Sequence, residues 1–259
     1  MKKNAILFLA LLSLVGSRTF SQNTRITDRN QVGWLGYFGT VKISDKYSIH
    51  SEYQWRRDNY ISDPKQGLLR VGINYQANPK LQLRLGYAWI ETQPYGDFPI
   101  NGFGKDFTEH RIFQMATLTD KVALVDVSHR FMLEQRFVGR YTNAALERED
   151  DYLLLHRLRY MLRVQVPLKG TSIADHTPYL AASNEILIGF GKNVNENIFD
   201  QNRLGLLLGY KFNNQIRLEA GYLNQTLQLG REIEQRNVFQ NNNGFIFNTI
   251  INIDATKNK

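Results

Sequence analysis

The chain contains no cysteine, which excludes disulfides, thiolate metal sites and a lipid-modified N-terminal cysteine. Beyond residue 21 it has no run of about 18 apolar residues, so no membrane-spanning helix is available. A formal charge of +8 comes without a basic tail or a concentrated basic patch, so it does not read as nucleic-acid binding. A P-loop, a dinucleotide-binding fingerprint, an HExxH element and a close acidic ligand cluster are also missing, and no metal or other cofactor is expected. No helical period competes beyond residue 21, which removes the crossover helices that parallel α/β folds require.

What is present begins with a leader. Lys2 and Lys3 form a positive start, Ile6 to Val15 an apolar core, and Thr19-Phe20-Ser21 a small-x-small cleavage site. Residues 1–21 therefore read as a secretory signal peptide, leaving residues 22–259 as a single domain. Removing Lys2, Lys3 and Arg18 from a charge of +8 leaves +5.

The mature chain is organised around 122–167. From Val125 to Phe137, Val127, His129, Phe131 and Leu133 alternate with Asp126, Ser128, Arg130, Met132, Glu134 and Arg136. After a polar loop, Leu154, His156, Leu158, Tyr160, Leu162 and Val164 alternate with Arg157, Arg159, Met161, Arg163 and Gln165. Each pattern has a period of two and suits a membrane-crossing strand, which needs roughly 9–11 residues against about 5–6 in soluble sheets.

The same alternation recurs along the chain with turns between. Short connections fall at 45–46, 77–80, 119–121 and 213–214, with 167–176 somewhat longer. Long ones fall at 58–65, 92–105, 140–149, 191–199 and 231–243. Short turns facing the periplasm and long loops facing outward are the habit of outer-membrane barrels. The expected fold is all-β, a closed antiparallel transmembrane β-barrel. Eleven strands can be named. Because such barrels use even numbers, about twelve are expected, with ten as the fallback and a short first strand sought in 22–31. Both termini are then placed on the periplasmic side.

A bilayer leaves unpaired backbone groups without partners, so its sheets must close. It also forces charge inward. Arg84, Arg130, Glu134, Arg136, Arg157, Arg159, Arg163, Glu185, Arg203, Arg217 and Glu219 all fall on the less apolar face of their strands and form the expected lumen charge network. Glu134 is placed within reach of Arg157 or Arg159 through the hairpin. Asp126, Glu52 and Glu109 are the residues able to offset the excess of arginine. Tyr87, Trp89, Tyr210 and Phe212, near strand ends, suit aromatic girdles.

His129-Arg130, Leu133-Glu134-Gln135-Arg136-Phe137, Arg157-Leu158-Arg159-Tyr160, Asn184-Glu185, Asp200-Gln201-Asn202-Arg203 and Gly221-Tyr222-Leu223-Asn224-Gln225 follow one another along the chain. In these elements the chain resembles the bacterial outer-membrane barrels grouped as domain of unknown function 2490 (DUF2490). The leader and the start around Gln22 look like those of Bacteroidetes-type bacteria. The resemblance implies an outer-membrane barrel and carries no catalytic residue with it. The C-terminus departs from the habit of ending on an aromatic, trailing off from Asp254 to Lys259.

Three functions compete. Arginine outnumbers glutamate on the inner face, which favours a passive channel or carrier for small anionic solutes. A closed structural or ligand-binding barrel is the alternative. An outer-membrane lipid hydrolase is weaker: Ser128 and His129 are adjacent strand residues and point to opposite faces, so the chain is expected not to be an enzyme. The expected partners are outer-membrane lipids, the general barrel-assembly machinery during biogenesis and a small solute; nucleic acid is not among them.

Overall fold

In the computed structural model, residues 25–194 and 198–258 are described. The leader read over residues 1–21 lies outside them.

Eleven strands close into one barrel: β1 (Arg25–Lys42), β2 (Tyr47–Asp58), β3 (Asp63–Asn78), β4 (Leu81–Thr92), β5 (Phe107–Val122), β6 (Val125–Arg140), β7 (Asp151–Pro167), β8 (Thr177–Phe190), β9 (Phe199–Lys211), β10 (Ile216–Ile233) and β11 (Arg236–Asp254). All are antiparallel to their chain neighbours, and β1 pairs with β11 in parallel, Arg25 with Asn237 through Lys42 with Asp254. The count falls between the twelve and ten expected, and the described part of the segment sought as an extra strand, 25–31, is the start of β1 itself. An odd number of strands joined by hairpins makes the first and last run the same way. The described chain therefore starts at the long-loop end with Arg25 and leaves β11 at the short-turn end with Asp254, which corrects the expectation that both termini share one side. At this parallel seam a Cβ on Gly244 would stand 1.7 Å from the Val32 carbonyl oxygen, so only glycine permits the approach.

Two expected loops are mostly strand. The stretch 231–243 is the tip of a hairpin in which β10 runs to Ile233 and β11 starts at Arg236. Two of its polar residues are inward-facing partners: Asn242 donates to Gln225 at 3.0 Å and Gln240 to the Phe98 carbonyl at 2.9 Å. The stretch 58–65 shrinks to a turn at 59–62. On the other end, 119–121 continues β5 and the turn lies at 123–124.

The connecting residues of the last hairpin, Glu234 and Gln235, both have positive φ, 50° and 60°. That pair of signs is the primed turn matching strand twist, and it favours Asn-Gly over side chains of this size. Replacing Glu234 with Asn and Gln235 with Gly is expected to raise the unfolding free energy by about 1 kcal/mol. A urea midpoint in lipid that stays put or falls would show that the turn is unstrained.

The two faces separate as period-two alternation requires. Ile73 and Leu85, paired across β3 and β4, are each 60% exposed and lie in an outward apolar belt with Leu69, Val71, Leu158, Leu206 and Leu208. Tyr87, Trp89 and Phe212 are exposed on the same face. His129 and His156 also take the outward parity, and His129 Nδ1 lies 2.9 Å from the Tyr160 hydroxyl. An outside that is mainly apolar, its amides Gln114 with Gln135 and Asn184 with Asn202 hydrogen-bonded to each other, and ion pairs inside invert the soluble arrangement and define a transmembrane barrel.

Candidate functional site

The inward face is built from one carboxylate outward. Register sets Glu134 of β6 opposite Arg157 of β7. Glu134 accepts from Arg157 Nε at 2.7 Å and from Arg159 Nη1 at 2.8 Å, with Arg111 Nη1 at 3.7 Å. Arg157 Nη1 also donates to Asp200 at 2.5 Å, and Arg136 Nη1 reaches the same carboxylate at 3.3 Å. Arg136 Nε donates to Glu109 at 2.5 Å, and Arg111 clasps Glu109 with Nε at 2.6 Å and Nη2 at 2.7 Å. On the other side Glu185 accepts from Arg159 Nη2 at 2.8 Å and Arg130 Nη2 at 2.8 Å, with Arg203 Nη1 at 3.5 Å. Six arginines thus meet four carboxylates in one connected group, leaving a surplus of two positive charges.

The centre of this group is buried, with Glu134 0%, Arg157 1% and Glu109 1% exposed, while Arg130, Arg136 and Arg203 at its edges are half-buried. Buried ions persist only when paired and hydrogen-bonded, which the interlocked guanidiniums achieve. The remaining strands also send buried side chains inward, Trp34, Glu52, Arg70, Ile90, Gln225 and Asn242, each no more than 5% exposed. Every strand therefore sends a buried side chain into the lumen.

Seven of the charged residues expected from the sequence meet in this group: Arg130, Glu134, Arg136, Arg157, Arg159, Glu185 and Arg203. Arg163 and Glu219 form a second cluster, where Glu219 also accepts from the Tyr179 hydroxyl at 2.8 Å and Asn248 at 3.3 Å. Gly209 makes room there, since a Cβ would lie 2.2 Å from the Tyr179 ring. Arg84 stands apart and donates to Asn74 Oδ1 at 2.5 Å. Arg217 lies at the short-turn end of β10, outside the central group. Of the residues named as possible offsets, Glu109 is central, Glu52 pairs with Arg70 at 2.7 Å, and Asp126 sits 3.7 Å from Lys121 near the short turns.

Asp200 and Lys65 escape period-two reading because each is the extra residue of a β-bulge. Leu187 pairs with Gln201 and Ile188 with Phe199, skipping Asp200; Arg56 pairs with Gln66 and Arg57 with Pro64, skipping Lys65. A bulge lets two successive residues face the same side. Asp200 and Gln201 are both buried, and Lys65 and Gln66 both line the cavity described next.

Between the charged layer and the long loops lies a cavity of about 610 Å³. Its floor includes Glu109, Arg111, Arg136, Asp200 and Arg203, and its walls include Trp34, Arg56, Lys65 and Tyr95. The 93–106 loop roofs part of it. Tyr95 donates to Gln240 at 2.5 Å, and burial raises the Tyr95 phenol above its ordinary pKa, so it remains a donor at neutral pH. Arg231 Nη2 donates to the Pro99 carbonyl at 2.8 Å. Phe98 and Ile100 of the loop pack on Leu227, Leu229 and Val238.

Fold and interior together define a transmembrane β-barrel closed around a paired-charge core, with a cavity at its long-loop end. Residues 31–236 match a family model described as "Protein of unknown function (DUF2490)", and the chain belongs to that family. It is 26% identical to an uncharacterized protein of Methylorubrum extorquens, over 87% of this chain and 90% of the relative. Among solved structures it is similar to LpxR from Salmonella typhimurium, with 15% identity, a TM-score of 0.41 and coverage of 80% and 84% of the two chains.

Proposed function

We propose that this protein is a bacterial outer-membrane barrel that binds a small ligand in its outer half and does not conduct solutes passively. The buried central layer carries the reading: arginines of an open anion passage would be wetted, whereas Arg157 and Arg159 are 1% and 4% exposed and paired with carboxylates. Their charge is committed to Glu134, Glu185 and Asp200, so the arginine excess that favours a channel in sequence does not line a water-filled path. The cavity remains, with a volume in the range of ligand pockets, about 300–1,000 Å³. With short turns toward the periplasm, the cavity faces outward. In this reading the outer-membrane lipids solvate the apolar belt, and the barrel-assembly machinery inserts the chain.

A catalytic role has less support. Ser128 is inward and His129 outward on β6, with His129 against the Tyr160 hydroxyl. Among the described residues no group of three or more His, Asp or Glu is placed to hold a metal ion.

Planar-bilayer recording of purified, heat-modifiable protein tests the proposal. The expected result is a flat baseline at neutral pH. Stable anion-selective steps that change in Arg157→Ala and Arg159→Ala would overturn it and restore the channel.

A further inference from the structure

Three cations around the cavity are not neutralised by the central network. Arg56 donates to Gln54 Oε1 at 3.0 Å and 2.6 Å and to Gln66 Oε1, all neutral amides. Among the described residues no carboxylate lies within 4.0 Å of its guanidinium. Lys65 is 4% exposed, and its ammonium has no hydrogen-bond acceptor; it stands 3.8 Å from the centre of the Tyr95 ring. Asp58, on the facing strand, is also buried with Oδ1 unbonded; it and Asp28 are the negative charges that act on Lys65, both from beyond 4.0 Å. Arg231 keeps a buried Nε without an acceptor.

Burying an ammonium without an acceptor is costly, and cation–π attraction to Tyr95 offsets only part of that cost. Lys65 reaches this position because a bulge turns it inward. It lines the same cavity as Arg56 and Arg231, so an anion entering there would meet three cations that, among the described residues, have no carboxylate within 4.0 Å. The apolar parts of a ligand are also provided for. Trp34 lies beneath Arg56, whose guanidinium carbon is 4.0 Å from the ring centre, with Arg203 at 5.3 Å. Phe103, Phe107 and Leu227 extend the apolar wall.

We infer that the cavity is a site for a small organic acid: one anionic head, carboxylate or phosphate, held by Arg56 and Lys65, and a planar or apolar body against Trp34 and Tyr95. This rests on the closed-barrel reading above and specifies its ligand class. The head neutralises Lys65, so binding gains from a cost that the empty protein already bears. Arg56 contributes a planar fork suited to a two-oxygen head.

Trp55 and Trp89 face outward, so Trp55→Phe with Trp89→Phe leaves Trp34 as the single tryptophan. The test titrates this protein, folded in neutral detergent, with 2-naphthoate and follows energy transfer from Trp34 against a detergent blank. Its neutral counterpart, 2-naphthylmethanol, and inorganic phosphate are run in parallel. Saturable naphthoate binding is expected, at least tenfold tighter than the alcohol, with phosphate competing weakly. Arg56→Gln and Lys65→Met should each weaken naphthoate at least tenfold and leave the alcohol unchanged. Lys65→Met removes an unpaired buried cation and is expected to keep the boiling-dependent gel shift, so lost binding cannot be laid to misfolding. Equal binding of alcohol and acid, indifference to both substitutions, or no saturable binding by either anion overturns the assignment. Those outcomes leave the closed barrel standing, because only conductance decides that.

Discussion

Replacing Glu134 with alanine is expected to lower the unfolding free energy by about 3–5 kcal/mol, the cost of breaking a buried ion pair by removing one partner. Among the described residues Glu134 is the only carboxylate that Arg157, Arg159 and Arg111 share, and it is fully buried. Without it Arg157 keeps Asp200, Arg159 keeps Glu185 and Arg111 keeps Glu109, but three guanidiniums lose the anion between them. Glu134→Gln should also be severe, since it keeps shape and loses charge. Replacing Arg163, which is partly exposed and bonds Glu219 at the edge of the second cluster, should cost much less. Urea unfolding in lipid vesicles, followed by gel mobility, gives the ranking. Equal midpoints for Glu134→Ala and Arg163→Ala would mean that the central carboxylate does not hold the core.

The second large effect concerns the opposite face. Leu85 is the fifth residue of the twelve-residue strand β4, 60% exposed and opposite Ile73. If that face meets hydrocarbon, Leu85→Arg costs about 2–4 kcal/mol, the penalty for a cation near the bilayer midplane. The paired control is Gln82→Arg, inward and near the short turns, with an expected effect under about 1 kcal/mol. A soluble sheet would tolerate arginine at an exposed position. An unchanged midpoint for Leu85→Arg in vesicles would therefore remove Leu85 from the lipid boundary.

Alternation by itself determined the faces of this protein. In Val125–Phe137 and 152–166, the residues read as polar-facing turn inward and those read as apolar-facing turn outward, because successive Cβ atoms of a strand must diverge. The proximity of Glu134 to Arg157 and Arg159 was legible too, since one hairpin joins their strands. Tertiary structure decided what no local period encodes. Closure made β1 and β11 neighbours and, with eleven strands, parallel, so the described chain begins and ends at opposite ends of the barrel. Bulges turned Asp200 and Lys65 inward from segments that read as loops, because one inserted residue changes which side its neighbours face. The sign of the lumen also awaited three dimensions. Counting arginines along the strands predicts an anion path, whereas pairing across five strands, β5 to β9, commits most of that charge to carboxylates. Positive charge without a carboxylate partner is left at Arg56, which is bonded to glutamines, and at the bulged Lys65, because only the folded barrel determines which cations meet a carboxylate and which do not.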